Sequence, residues 1–259
     1  EMLRMFLSKL EIGGLFSFSQ PRILICCPTN ITTVEKDAIK KVAEKCGAKK
    51  VYIEEEPKVA AVGAGLSIFE PLGNMVIDIG GGTTDIAVLS MGDIVNSASL
   101  KIAGDVLTND IIDYVKNEYK LLIGLRMAEE IKIKIGVVHN PDPSNTLEIK
   151  GRDLVSGLPK KITIDESDTF KALTRSIGEI IKESKTVLEK TEPELTSDII
   201  NQGIVLTGGG SLLRNLDVLL EEKIGVPVYV AEDPLNSVVK GTGLLLELNN
   251  QTDSSVNLI

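Results

Sequence analysis

The stretch MVIDIGGGTTDIAVLS, residues 75–90, carries the strongest structural signal in the chain. An aliphatic segment ends near an acidic residue, passes through three consecutive glycines and two threonines, and resumes as a second aliphatic segment. This pattern predicts two antiparallel strands joined by the glycine turn. Because glycine costs backbone entropy, a fold that keeps three in a row uses the conformational freedom they give.

The glycine turn at residues 80–82 predicts an anion site. Without Cβ atoms, successive backbone N–H groups can point into one concavity and let a phosphate approach closely. Thr83 and Thr84 add hydroxyl donors, and Asp78 stands where a carboxylate could hold a hydrated Mg²⁺ beside phosphates. A plain tight turn is the alternative interpretation of the same residues.

A second segment, IVLTGGGSL at residues 204–212, repeats the pattern. It runs from an aliphatic strand through Gly208–Gly210 to Ser211, where we expect a helix to begin and favour an anion. We interpret the repeat as two related lobes that face a shared cleft. Neither turn has the spacing of a P-loop or of the dinucleotide fingerprint, yet the pair favours nucleotide binding.

Composition limits the class of protein. The 259 residues are 43% hydrophobic and 25% charged, as in soluble globular proteins large enough for two lobes. A net charge of −9 argues against a nucleic-acid partner, because that affinity comes from neutralised phosphates. The three cysteines lack zinc-site spacing, and the single histidine, His139, disfavours a histidine-based metal centre or triad. No signal peptide or spanning apolar run stands out, so we expect a cytoplasmic chain.

Strands and helices alternate along the chain, which predicts α/β layers. We expect strands at 22–28, 51–57, 75–90 (the hairpin), 93–104, the segments TLEIKGRD and KKITID, the start of 202–222, and VPVYV. We expect helices at 2–10, 34–46 capped by Thr32 or Thr33, 58–66, 105–121, 126–136, 168–190, after the second glycine turn, and from SVVKGTG to a frayed tail at Gln251.

Six motifs, in order along the chain, carry a family resemblance. They are IEEEPKVAAVGAG (53–65), DIGGGTTD (78–85), AGD (103–105), AEEIKIKIG (128–136), LTGGGSLLRNL (206–216) and AEDPLNSVVKGTG (231–243). Together they resemble the superfamily of actin, sugar kinases and heat-shock chaperones, and within it the MreB/Mbl family of bacterial actin homologues. The resemblance implies an actin-like ATPase fold of the ribonuclease H-like type, with two lobes around a nucleotide cleft.

The resemblance also implies a domain organisation. Residues 1–66 correspond to the remainder of subdomain IA, residues 67–104 and 173–259 to subdomain IIA, and residues 105–172 to subdomain IIB, with the last helix returning toward IA. The family's first phosphate hairpin and the small subdomain of lobe I are missing from this sequence. We therefore expect an N-terminally truncated chain whose own ATP hydrolysis is impaired.

By resemblance, the cofactors are ATP or ADP with Mg²⁺. Glu56, just before Pro57, corresponds to the family residue that orients the attacking water, and Thr83 joins it as catalytic. The alternative interpretation of Glu56 is that it belongs to a solvated run of charges, Glu54–Glu56. The resemblance places Glu129, Glu130 and Lys132 at the ribose and adenine, and the alternative for these three residues is an exposed helical face. The nucleotide-binding set is Asp78 (also an indirect metal ligand through water), Gly80, Gly81, Gly82, Thr83, Thr84, Gly104, Asp105, Glu129, Glu130, Lys132, Gly208, Gly209, Gly210 and Ser211.

The segment GGLFSFSQP, residues 13–21, places Leu15, Phe16 and Phe18 on a loop that would ordinarily be polar. These side chains could fold back onto the first helix. The resemblance implies instead that they insert into the inner leaflet of the cell membrane. It further implies self-assembly into membrane-associated filaments that work with the cell-wall elongation machinery and set rod shape.

Two other ATPases of the superfamily are alternatives. A sugar or acetate kinase needs an acceptor pocket with its own acid or base, and no such motif stands out. A chaperone-like ATPase carries a long substrate-binding domain after about residue 250, where this sequence has the short polar segment QTDSSVNLI. The cytoskeletal interpretation agrees best with the order of the motifs.

Overall fold

The computed structural model describes residue 5, residues 21–29 and residues 31–256, the last seven by backbone alone. The predicted first helix and the apolar segment with Leu15, Phe16 and Phe18 lie outside the described residues. The strands are β1 (Arg22–Cys27), β2 (Lys50–Glu55), β3 (Asn74–Ile79), β4 (Thr84–Ser90), β5 (Asp93–Leu100), β6 (Leu121–Leu122), β7 (Thr146–Asp153), β8 (Pro159–Asp165), β9 (Ile204–Thr207) and β10 (Val228–Val230). The helices are α1 (Thr33–Lys45), α2 (Glu56–Gly63), α3 (Gly104–Tyr119), α4 (Leu125–Ile135), α5 (Glu166–Glu189), α6 (Pro193–Gln202), α7 (Leu216–Ile224) and α8 (Ser237–Val256).

A five-stranded sheet in the order β10-β9-β3-β4-β5 forms the centre of the molecule. The predicted hairpin is confirmed: β3 pairs antiparallel with β4, and β4 with β5. On its other edge β3 pairs in parallel with β9, which pairs in parallel with β10. Every residue of β3 is buried, as expected for an aliphatic strand with neighbours on both sides and helices on its faces.

Two smaller sheets flank this one. Strands β1 and β2 pair in parallel, and β6, β7 and β8 form an antiparallel sheet. The largest apolar cluster lies between the central sheet, the three-stranded sheet and helices α3, α4 and α5, with Ile77, Ile131 and Leu173 fully buried in it. This continuous core fixes the positions of the strand ends and helix starts that build the site described below. The predicted subdomain boundaries stay a prediction.

Local sequence signals explain several element boundaries. Thr32 caps α1 in a capping box with Glu35, which confirms one of the two predicted caps. The strand predicted at 51–57 ends earlier, at Glu55, because Pro57 suits the first turn of a helix and has no N–H to donate to a sheet. Glu56 is therefore the first residue of α2.

Three further expectations are corrected. Helix α6 was not predicted; its Pro193 opens a helix where the sequence suggested only the end of the preceding one. Ser211 does not begin an α-helix, because a 3₁₀ turn, Gly209–Leu212, precedes α7. The last helix is not frayed from Gln251 but continues to Val256. None of the described helices combines the length and apolar character needed to cross a bilayer.

The two glycine turns do not lie on facing lobes. Asp78 and Thr207, which end β3 and β9 just before the turns, are register partners on adjacent parallel strands. The turns therefore leave the same edge of one sheet, next to each other. The sequence repeat arises because neighbouring parallel strands end at the same edge and face the same opening.

Candidate functional site

A cavity of about 900 Å³ opens where β3 and β9 end. Its wall includes Gly80 and Gly81 from the first glycine turn and Gly209 and Gly210 from the second. Four other residues that the sequence predicted at the site also line the cavity: Gly104, Asp105, Glu129 and Lys132. The two turns thus converge on one space large enough for a drug-sized ligand.

The first glycine turn is joined to the start of α3. The N–H of Gly104 donates to the carbonyl of Gly80 at 3.0 Å, and the N–H of Asp105 donates to that of Gly81 at 2.8 Å. Within the turn, the N–H of Gly80 donates to the carbonyl of Thr83 at 2.9 Å. A helix N-terminus carries partial positive charge, so its place beside the turn favours an anion in the cavity.

The second glycine turn requires glycine for steric reasons. Gly208 has a φ of +77°, and a Cβ there would collide with the carbonyl oxygen of Ile79. Its N–H donates to the carbonyl of Pro234 at 2.9 Å, and the buried Ser211 hydroxyl donates to the Gly208 carbonyl at 2.7 Å. The turn is thereby held against the end of β3, and Gly209 and Gly210 are left at the cavity wall.

Three carboxylates, those of Glu56, Asp78 and Asp85, lie close to one another and outside the wall of the cavity. Burial raises the pKa of Asp78 to about 6; the nearby Thr207 hydroxyl lowers it in part, and the charge of Asp85 raises it further. Burial also raises the pKa of Glu56, and the charges of Asp85 and Asp78 add to that shift. The three acids are therefore near enough to repel one another when ionised.

Glu56 differs from its two acidic neighbours. Glu54 pairs with Lys58 at 3.1 Å, and Glu55 pairs with Lys36 at the same distance. Among the residues that the structure describes, Glu56 has no ion-pair partner. A half-buried carboxylate with a raised pKa and no cation does not resemble a solvated charge run, and it is the kind of group found at functional sites.

A polar network forms the wall of the cavity below the first turn. Lys132 Nζ lies 2.9 Å from the carbonyl oxygen of Gly104, 2.9 Å from Thr108 Oγ1 and 2.8 Å from Glu129 Oε2. Thr108 Oγ1 in turn donates to Glu129 Oε2 at 2.7 Å. These bonds hold the Lys132 cation and the Glu129 carboxylate at the cavity. The two groups therefore do not behave as the exposed helical face that was the alternative interpretation.

The remaining predicted residues lie around the cavity but not in its wall. Thr84 is fully buried, and its hydroxyl donates to the carbonyl of Ile102 at 2.7 Å. Glu130 does not line the cavity but pairs at 2.7 Å with Lys134, which does. Gly82 and Thr83 lie at the exposed tip of the first turn. Their assigned roles stay predictions.

Sequence reasoning missed part of the wall. Ile133, Leu212 and Leu235 line the cavity and are each more than half exposed, and Arg214 lines it with them. An isoleucine on the polar side of the amphipathic helix α4 was a signal that could have been used. Thr29, whose hydroxyl donates to Asp85 Oδ1 at 3.4 Å, was also missed, since it lies outside every motif.

No group of three or more His, Cys, Asp or Glu within the described part of the chain is arranged to hold a metal ion by itself. The hydroxyl of Thr207, the register partner of Asp78, is buried and makes no hydrogen bond of ordinary length and angle among the described residues, although it lies near enough to the Asp78 carboxylate to lower the pKa of that group. A buried hydroxyl of this kind normally reaches a partner through water. Asp78 and Thr207 thus suit a hydrated cation whose other ligands come from a bound molecule.

Comparison with known proteins identifies a family. The model of the MreB/Mbl protein family matches residues 1–254. The cell shape-determining protein Mbl of Bacillus subtilis (strain 168) is 57% identical over 246 residues, which are 95% of this chain and 73% of that protein.

Solved structures show the same fold. MreB5 of Spiroplasma citri bound to ADP superposes with a TM-score of 0.90 at 39% identity, over 98% of this chain and 75% of that one. The double helical filament of MamK superposes with a TM-score of 0.79 at 22% identity, over 95% of this chain and 74% of that one. The expected actin-like α/β fold is confirmed, and by family model, sequence identity and fold together the chain belongs to the MreB/Mbl family.

Proposed function

We propose that this protein binds ATP and ADP in the cavity between the two glycine turns and hydrolyses ATP there. The observation that carries the proposal is that both turns, which leave neighbouring strands, open into one cavity. The opposite wall supplies apolar and polar groups suited to a nucleoside. The relative MreB5 was solved bound to ADP, and family membership supports the same ligand here.

The phosphates would lie at the first turn. Backbone amides of Gly81 and Gly82 offer donors without a bulky side chain, and the nearby N-terminus of α3 adds partial positive charge. Asp78 would hold Mg²⁺ through water, and the Thr207 hydroxyl would bond to that water. When bound, Mg²⁺ neutralises charge on the phosphate oxygens. A divalent cation would also favour the ionised form of Asp78, which burial disfavours.

The adenosine would lie toward α4 and the second turn. Ile133, Leu212 and Leu235 present apolar surface to the cavity, which suits a planar base. Lys132 and Glu129, held by the network with Thr108, offer a donor and an acceptor to the ribose or base. Gly209 and Gly210 allow the sugar and the first phosphate to approach the backbone closely.

Glu56 would orient the attacking water. Burial and the neighbouring charges raise its pKa, and it has no cation partner among the described residues, so its carboxylate is a stronger base than that of a free glutamate. Thr83, at the tip of the first turn, is the second catalytic candidate. Positioning and charge stabilisation supply most of the catalysis of phosphoryl transfer, so a single well-placed carboxylate is sufficient as the water-orienting group.

At the level of the cell, we propose a cytoskeletal role. The relative Mbl is described as cell shape-determining, and MamK shows that this fold can assemble into a double helical filament. The chain would form filaments in the cytoplasm, at the inner face of the membrane, and organise cell-wall synthesis with the elongation machinery. The proposal keeps the division into subdomains IA (residues 1–66), IIA (67–104 and 173–259) and IIB (105–172).

The membrane part of the proposal depends on the sequence of residues 13–21 alone. Burying Leu15, Phe16 and Phe18 would contribute about 1.5–3 kcal/mol each. That is weak for one subunit and strong for a filament that presents many copies. Replacing Leu15 and Phe16 by Ser should abolish co-sedimentation of filaments with liposomes, and unchanged co-sedimentation would refute membrane insertion.

Calorimetric titration with ADP and with the ATP analogue AMPPNP, with and without Mg²⁺, tests the nucleotide site. We expect binding of both nucleotides, and tighter binding of AMPPNP when Mg²⁺ is present. Failure of both nucleotides to bind would overturn the proposal. Transfer of phosphate from ATP to a small acceptor, in a panel of sugars and carboxylates, would instead indicate a kinase.

A further inference from the structure

Glu166, the first residue of α5, is a buried carboxylate outside the motifs. It is 2% exposed, and three donors from two segments bond to it: the N–H of Asp142 donates at 2.8 Å, the side chain of Asn145 in the same loop donates as well, and so does the side chain of Arg214. Burial alone would raise the pKa of Glu166, but these bonds and the charge of Arg214 hold the pKa below its usual value. Glu166 is therefore ionised at neutral pH and depends on its donors.

Arg214 connects this carboxylate to the cavity. It follows the second glycine turn, and its side chain, 44% exposed, lines the cavity while it reaches Glu166. Its carbonyl accepts the N–H of Val138 at 3.3 Å, and the adjacent Asn215 side chain donates to the carbonyl of His139 at 2.7 Å. The segment after the second turn is thus bonded to the segment after α4.

The two segments form opposite sides of the end of the cavity where the nucleoside is proposed to bind, which we call the nucleoside end. Helix α4 carries Lys132 and Ile133 on one side, and the 3₁₀ turn carries Leu212 on the other. They meet at Gly136, where a Cβ would lie 3.0 Å from Leu213 Cδ1 and would collide with the carbonyl of Lys132. The width of this end therefore depends on how firmly the segment with Arg214 is held.

We propose that Arg214 and Glu166 act as a positioning pair that sets the width of the nucleoside end of the cavity. This inference rests on the proposed function, since it assumes that a nucleotide binds there. Glu166 is itself held by the backbone of Asp142 and the amide of Asn145, so it is a fixed point. Through the guanidinium, that fixed point determines where Leu212 and Gly210 lie relative to α4.

The Arg214–Glu166 pair acts on the nucleoside, which ATP and ADP share. Loss of the pair should therefore weaken both nucleotides by the same factor and leave their affinity ratio unchanged. Inorganic pyrophosphate, which lacks the nucleoside, should bind unchanged. A defect at the phosphate end would instead change the ratio and weaken pyrophosphate.

A double substitution separates positioning from folding. Arg214→Met leaves a buried carboxylate without its cation, and we expect a lower melting temperature and weaker ADP binding. Adding Glu166→Gln removes the unpaired charge, so the melting temperature should return toward the wild-type value. Affinity for ADP should stay about tenfold below wild type, since the segment with Arg214 is no longer bonded to the residue at position 166.

The control uses a different acid, Asp153, which also has three partners, here two backbone N–H groups and one cation. Asp153 accepts from Val155 and Ser156 and pairs with Lys160 at 3.0 Å, at the β7–β8 hairpin and away from the cavity. Lys160→Met with Asp153→Asn should leave ADP affinity within about twofold of wild type.

The possible results are distinguishable. If wild type binds no nucleotide, the proposed function fails. If wild type binds ADP and the Arg214→Met/Glu166→Gln protein binds it equally well, the positioning pair is overturned while the proposed function stands. Weakened pyrophosphate binding in the double variant would likewise contradict a role at the nucleoside end.

Discussion

Asp78 and Thr207 are register partners at the ends of two adjacent parallel strands, and both are buried. A glycine turn follows each of them, so their pairing brings the turns to the same edge of the sheet. One partner is a carboxylate whose pKa burial raises, and the other is a buried hydroxyl near enough to lower that pKa in part. The pairing therefore brings both turns to the opening of the cavity, and we propose that the two side chains also hold a hydrated cation there.

Replacing Asp78 by Asn should stabilise the nucleotide-free protein and weaken its binding of nucleotide with Mg²⁺. The pKa of Asp78 rises from 3.8 to about 6 on folding, so the ionised form is disfavoured in the folded state. The free-energy cost of burying the ionised Asp78 carboxylate on folding is absent below pH 3.8 and complete above about pH 6. At pH 7.5 we expect a gain of about 1–3 kcal/mol in the free energy of unfolding, measured by urea titration.

The same variant should lose the Mg²⁺ dependence of AMPPNP binding. In the wild type that dependence should weaken as the pH falls from 7.5 to 5.5, because protonated Asp78 no longer attracts the cation. A destabilised Asp78→Asn protein, or one that keeps the full Mg²⁺ effect, would contradict the role assigned to Asp78.

Replacing Glu56 by Gln should lower the rate of ATP hydrolysis at least about 100-fold while ADP affinity changes little. Glutamine keeps the size of the side chain but cannot accept a proton. Glu55→Gln is the matched control, because Glu55 is adjacent and already paired with Lys36. Equal loss of hydrolysis in both variants, measured by phosphate release, would show that Glu56 has no special role.

Replacing Gly208 by Ala should destabilise the fold by about 2–4 kcal/mol. The backbone there has a positive φ, and the new Cβ would collide with the carbonyl of Ile79. Gly178→Ala in α5 is the control: its Cβ would meet nothing within 4 Å, and alanine favours a helix. Thermal unfolding of both variants gives the comparison, and a neutral Gly208→Ala would show that the turn is not tightly held.

Replacing Lys132 by Met should weaken ADP binding by about tenfold, because the cavity loses a cation and the carbonyl of Gly104 loses a donor. Lys161→Met is the control, since Lys161 pairs with Glu148 on the exposed hairpin. Fluorescence titration with a labelled ADP measures both. Unchanged affinity in Lys132→Met would place the nucleoside elsewhere.

Local patterns predicted the parts of the fold that depend on neighbouring residues. The hairpin at 75–90 could be predicted because the aliphatic runs and the glycine triplet are local, and Thr32 because a cap acts within one turn. The wrong placement of the two turns on facing lobes concerned β3 and β9, whose paired residues Asp78 and Thr207 lie far apart in sequence. Local patterns do not encode that pairing.

The candidate site likewise contains residues that local sequence patterns predict and residues that only the packed structure brings together. Gly80, Gly81, Gly209 and Gly210 could be predicted because glycine runs are visible in the sequence. The Glu166–Arg214 pair could not, since it joins the start of one helix to a loop that precedes another. An isolated glutamate and arginine carry no local signal, and their importance comes from burial, which only the packed structure shows.

A structure determined with AMPPNP and Mg²⁺ tests the central claim most directly. The account predicts the β- and γ-phosphates within hydrogen-bond distance of the Gly81 and Gly82 amides, and the adenosine between α4 and the second glycine turn. A nucleotide bound outside this cavity, or phosphates out of reach of the first turn, would contradict it.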